Sequence, residues 1–81
     1  MRDREIQILV QALDRIRQRE NSTVAGMARR LGFSAGHLSM IFTGKRRPGI
    51  RFVRAVCERY PEIRRRLARS LDEAGDRRIS S

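Results

Sequence analysis

The chain has no tryptophan, one histidine and one cysteine, and its aromatic residues are three Phe and one Tyr. A lone cysteine, Cys57, excludes an internal disulfide. One histidine beside one cysteine falls short of any common zinc ligand set, so no metal or other cofactor is expected. Few aromatics leave few large anchors in 81 residues, a length that buries only a little over ~60% of the unfolded surface. The core has to be efficient, or a partner chain has to help. No apolar run exceeds three residues, as at Ile8 to Val10, which excludes a membrane-spanning helix. The opening MRDREIQ lacks the apolar stretch of a signal peptide. These absences predict a cytoplasmic protein with neither a membrane partner nor a small-molecule ligand. Enzymatic chemistry is not expected either, because no base stands beside a nucleophile and no carboxylate pair occurs in the central segment.

A further absence is more informative. Between Asn21 and Cys57 there is no Asp or Glu, while Arg29, Arg30, Lys45, Arg46, Arg47, Arg51 and Arg54 all fall there. The nine acids are confined to the two ends, Asp3 to Glu20 and Glu58 to Asp76. A net charge of +10 spread evenly would serve solubility; gathered over one segment it makes a positive face. Such a face attracts a polyanion and gains free energy from counterion release. Nucleic acid is the expected partner, with association to the nucleoid following from charge.

The apolar pattern predicts five helices and no sheet. The first covers about Asp3 to Gln18 or Arg19, with Ile6, Leu9, Val10, Leu13 and Ile16 as its stripe. Asn21-Ser22 breaks it and leaves Ser22 or Thr23 to cap the second, Val24 to Leu31, whose inner face is Val24, Met27, Ala28 and Leu31. Gly32 supplies a left-handed end, and Ser34 caps the third helix, Ala35 to Thr43, which Gly44 closes. Lys45 to Gly49 is a loop, since Pro48 disfavours helix at Arg47. The fourth helix covers about Ile50 to Arg59, with Ile50, Val53, Val56, Cys57 and Tyr60 facing inward, Cys57 as a small hydrophobe. Pro61 opens the fifth, where Ile63, Leu67, Leu71 and Ala74 recur and Gly75 is the expected stop. Residues 1–75 are expected to form one domain, with 76–81 a flexible tail. Two short helices around a glycine turn, with cations next door, is a layout that places a helix in the major groove of DNA.

At Met27-Ala28, Leu31-Gly32-Phe33-Ser34, Leu38-Ser39, Ile41, Gly44-Lys45-Arg46-Arg47-Pro48 and Ile50, the segment from Thr23 to Val56 resembles the phage repressor and Cro family, also called Xre-type regulators. The resemblance implies an all-α, five-helix domain that binds operator DNA, usually as a dimer on a palindrome. It places the base-reading positions at Ala35, Gly36, His37, Ser39 and Met40. Two positions depart from the family pattern: Val24 stands where a Gln often braces a phosphate, and Phe42 where an acid is common. Ser22 or Thr23 would then hold the phosphate in place of the residue at Val24.

The resulting candidate DNA-binding set is Ser22, Thr23, Ser34, Ala35, Gly36, His37, Ser39, Met40, Thr43, Lys45, Arg46 and Arg47. Lys45, Arg46 and Arg47 are read as phosphate contacts, and His37 as pointing off the core toward base or phosphate. Arg, Lys, Asn and Gln, which make bidentate base contacts, are missing between Ser34 and Phe42, so direct readout is thin. Arg64, Arg65, Arg66 and Arg69 are read as a solvated outer face beside Glu62, Asp72 and Glu73. Phe52 falls outside the fourth helix's stripe and is expected at a homodimer interface, with Leu71 and Ile8 as lesser contributors. A transcription regulator, most simply a repressor that occupies its operator, is the leading expectation. An antitoxin or accessory interaction module on the same fold, and a weakly specific architectural DNA binder, are the competing ones.

Overall fold

A computed structural model describes the backbone of residues 2–80 and the side chains through residue 70. The order is α1 (Asp3–Arg19), α2 (Val24–Leu31), α3 (Ala35–Phe42), α4 (Ile50–Arg59) and α5 (Pro61–Ser80), with no strand among the described residues. The first three helices end the same way. Within two residues of each end the backbone turns left-handed, at Asn21 with φ 56°, Gly32 with 84° and Gly44 with 80°. The following N–H then reaches back over the last turn, Ser22 to the Arg17 carbonyl at 2.9 Å, Phe33 to Ala28 at 2.9 Å and Lys45 to Met40 at 2.9 Å. This closure satisfies carbonyls that a helix end would otherwise orphan, and it suits Gly and Asn because a positive φ is sterically costly for other residues. The starts of α2 and α3 are capped by hydroxyls: Thr23 accepts from the Gly26 N–H at 3.0 Å and Ser34 from the His37 N–H at 3.1 Å.

These local devices leave short connections, and the helices close on one core. α2 packs on α3 and on α4, while α5 packs on α1 and α4. Leu9, Leu13, Met27, Leu38, Phe52, Val56 and Ile63 are each under 2% exposed and fill the centre. Arg19 at the end of α1 meets Glu62 in the first turn of α5 at 2.8 Å, so these two helices run antiparallel.

The inner face of α4 differs from the expected one. Ile50 is 77% exposed, whereas Phe52 is 1% exposed and lies at the centre of the core rather than at an interface. Val56 and Tyr60 are buried as expected, at 0% and 6% exposed; with them, either Ile50, Val53 and Cys57 or Phe52 can complete a helical stripe, the two separated by a rotation of the helix. Tertiary packing decides between them. The turn after α2 brings the Phe33 ring edge-on to Phe52 at 5.3 Å, and the largest apolar side chain of α4 turns inward to meet it. Val53 and Cys57 flank the buried stripe half-exposed. Burial pushes the Cys57 thiol up, against the opposing charge of Arg64.

Two boundaries also differ. Thr43 lies just beyond α3 as its cap residue, its hydroxyl donating to the Met40 carbonyl at 3.3 Å. The backbone of α5 stays helical through Gly75 to Ser80, where a stop was expected. An interior glycine costs a helix only about 1 kcal/mol relative to alanine, which is too little to end it by itself. Leu71, the lesser interface candidate, lies outside the residues whose side chains are described. Ile8, the other, is half-buried against the core.

Candidate nucleic-acid interface

Helix α3 is amphipathic in a simple way. Leu38 and Ile41 are 0% and 2% exposed, and anchor it on α2 and the core. The same periodicity puts Ala35, Gly36, Ser39 and Met40 on its exposed side, with Met40 39% exposed. Four of the five expected base-reading positions therefore share one open face.

His37 does not share that face. Its imidazole is half-buried, 5.0 Å from the Phe33 ring and 6.1 Å from Phe52, and it leans across the N-terminal end of α4. It lines a groove with Phe33, Arg46, Arg47, Ile50 and Arg51. Ile50 and Arg51 are absent from the expected set. No signal in the sequence distinguishes them, since their position follows from the orientation of α4.

Three hydroxyls of the expected set already accept a hydrogen bond. Thr23 and Ser34 cap α2 and α3, and Ser22 accepts from Arg30 at 3.2 Å. Each of these bonds uses a hydroxyl lone pair as acceptor, which leaves the O–H free to donate to an anionic oxygen. Capping and phosphate contact are thus compatible at Thr23 and Ser34.

The basic loop is tied to α3. The N–H groups of Lys45 and Arg46 both donate to the Met40 carbonyl, at 2.9 and 3.2 Å. Lys45, Arg46 and Arg47 are exposed, so three cations stand at the C-terminal end of the helix whose open face ends at Met40. The acid-free segment is not free of acids in space, however. Arg47 donates to Asp3 of α1 at 3.2 Å, and Arg30 to Glu20 at 3.0 Å. Both pairs are solvent-exposed, and such pairs stabilise by about 0–1 kcal/mol, little enough to be exchanged for a stronger anion.

The two departures from the family pattern share a location. Val24 and Phe42 line one groove on the α1 side with Val10, Gln11, Asp14 and Arg17, both half-buried.

Among the described residues, no group of three or more His, Cys, Asp and Glu could hold a metal ion, and no helix is long and apolar enough to cross a membrane. No curated protein matches the chain, and no solved structure does. One family model does match, that of the helix-turn-helix domain, over residues 8–61. Those residues run from the first half of α1 through α4 and include the capped α2–α3 pair and the basic loop. The match covers well over half of the chain and coincides with the elements that build the exposed face of α3. The protein belongs to the helix-turn-helix domain family, a family of DNA-binding domains.

Proposed function

We propose that the protein is a sequence-specific transcription regulator of the phage repressor and Cro type, acting as a repressor by occupying its operator. The observation that carries this reading is the rigid coupling of two surfaces. The open face of α3, with Ala35, Gly36, Ser39 and Met40, continues into Lys45, Arg46 and Arg47 through two hydrogen bonds to one carbonyl. The first surface fits the major groove and touches base edges; the second fixes register on the phosphates that border it. Thr23 and Ser34 supply further phosphate contacts through their free O–H groups.

Base readout on this face is thin. Ala35 meets a thymine methyl, Gly36 permits close backbone approach, and Ser39 makes a single hydrogen bond. Specificity then leans on duplex shape and on doubling the contacts. We propose a homodimer on a palindromic operator, with half-sites about one helical turn, ~34 Å, apart. Sedimentation of the protein with a full operator tests this: two copies per duplex are expected, and one copy at saturation overturns it.

The function is tested by binding to the promoter of its own operon and to a scrambled duplex at two salt concentrations. Preference for the promoter is expected at both. A ratio near one would favour the weakly specific architectural binder instead. Ser39→Ala is expected to change the preferred base at one position by roughly 1 kcal/mol, while an unaltered preference profile would take Ser39 out of the groove.

The Asp3 carboxylate competes with DNA for Arg47. Asp3→Asn is accordingly expected to strengthen duplex binding by about two- to five-fold at low salt, with the gain fading as salt screens the pair. A titration showing equal affinities at low salt would mean that Arg47 keeps its acid when DNA binds.

A further inference from the structure

A second concentration of positive charge lies where α1 and α5 pack against each other. The groove between them is walled by Arg15 and Arg19 from α1 and by Glu62 and Arg66 from α5, with Ala12, Ile16 and Ile63 along its floor. The Arg19–Glu62 pair at 2.8 Å engages the only carboxylate in that lining. Arg15 and Arg66 have no acidic partner within 4.0 Å among the described residues. Arg69 follows Arg66 by three positions, so it lies on the same side of α5. Three arginines against one carboxylate leave the groove with an excess of positive charge, and an anion relieves it.

This groove is separate from the α3 interface in its elements and in its residues. It is built from α1 and α5, whereas α3 packs on α2, and no residue of the candidate DNA-binding set lines it.

The chemistry of the groove selects the occupant. Ala12, Ile16 and Ile63 are 7%, 3% and 1% exposed, so the floor offers no apolar anchor. The large apolar side chains exposed among the described residues, Met40 and Ile50, are on α3 and α4. A protein partner draws most of its binding energy from buried aromatic or apolar anchors at the centre of the interface. A polyanion needs only cations to displace its counterions. A charged rim over a closed floor suits the second kind of partner.

We propose that the α1–α5 groove binds a second segment of duplex DNA, so that one molecule holds two duplexes together. The proposal rests on the reading of α3 as the site for the first duplex. Its test uses a duplex carrying the promoter sequence fixed to a bead and a labelled duplex free in solution. The wild-type protein captures the labelled duplex on the bead. Arg15→Gln combined with Arg66→Gln keeps affinity for a single duplex within about two-fold and lowers capture of the second at least about five-fold. Capture that survives this double substitution would come from two α3 faces of a dimer and overturns the proposal. Absence of capture by a wild-type protein that binds the first duplex overturns it as well and leaves the α3 reading standing. Failure to bind any duplex removes both.

Discussion

Phe52→Ala is expected to remove a large share of the folding free energy of this domain, and Phe52→Glu to prevent folding altogether. The side chain is 1% exposed and meets Phe33 edge-on at 5.3 Å. Truncating a buried Phe costs about 3–5 kcal/mol, from the transfer energy forgone and from the cavity left behind. A chain of 81 residues has roughly 4–12 kcal/mol in total, at 0.05–0.15 kcal/mol per residue. The alanine variant therefore loses from about a quarter to all of that stability, and a buried carboxylate adds a further desolvation cost. Urea denaturation followed by circular dichroism measures the loss. A shift below about 1 kcal/mol would return Phe52 to the surface, because scattered surface substitutions rarely exceed that range. DNA binding falls with the fold in both variants, so loss of binding at this position carries no information about an interface.

The second large effect concerns Arg46 and Arg47. Replacing both with Ala is expected to lower the slope of log K against log salt by about 1.8, or 0.9 for each phosphate no longer neutralised. Extrapolated from equal binding near 1 M salt, that slope change corresponds to roughly 30-fold weaker binding at ~0.15 M. The weakening should be nearly equal for promoter and scrambled duplexes, since phosphate contacts position without specifying. Loop geometry survives the substitution because the Arg46 bond to Met40 uses the backbone N–H at 3.2 Å. A double variant that kept its slope would place the loop away from the DNA backbone. Weakening confined to the promoter would instead put one of these arginines against a base.

Much of the molecule is legible along the chain because its helix ends are local events. Thr23 and Ser34 cap through bonds that span three residues. Asn21, Gly32 and Gly44 end their helices through bonds back over five. Nothing distant is needed to form them. The bounds of α2 and α4, the glycine turn before α3 and the acid-free segment that makes one face positive can therefore all be read from the order of residues alone. Gly75 shows the limit of the same reasoning, since a residue that permits an ending does not compel one.

Which way the helices face, and what meets across them, depends instead on packing. A period of 3.6 residues fits two stripes on α4, and the choice between Ile50 and Phe52 fell to the ring of Phe33 arriving from the turn after α2. The same arrival turned His37 from the open face of α3 into the aromatic groove. Charge behaved likewise: Asp3 and Arg47 are 44 residues apart in the chain but 3.2 Å apart in space. Arg15 and Arg66, each ordinary on its own helix, acquire meaning only by sharing a groove. Hydrogen-bonded ends depend on neighbours in sequence, whereas the rotation of a helix and the pairing of its charges depend on neighbours in space.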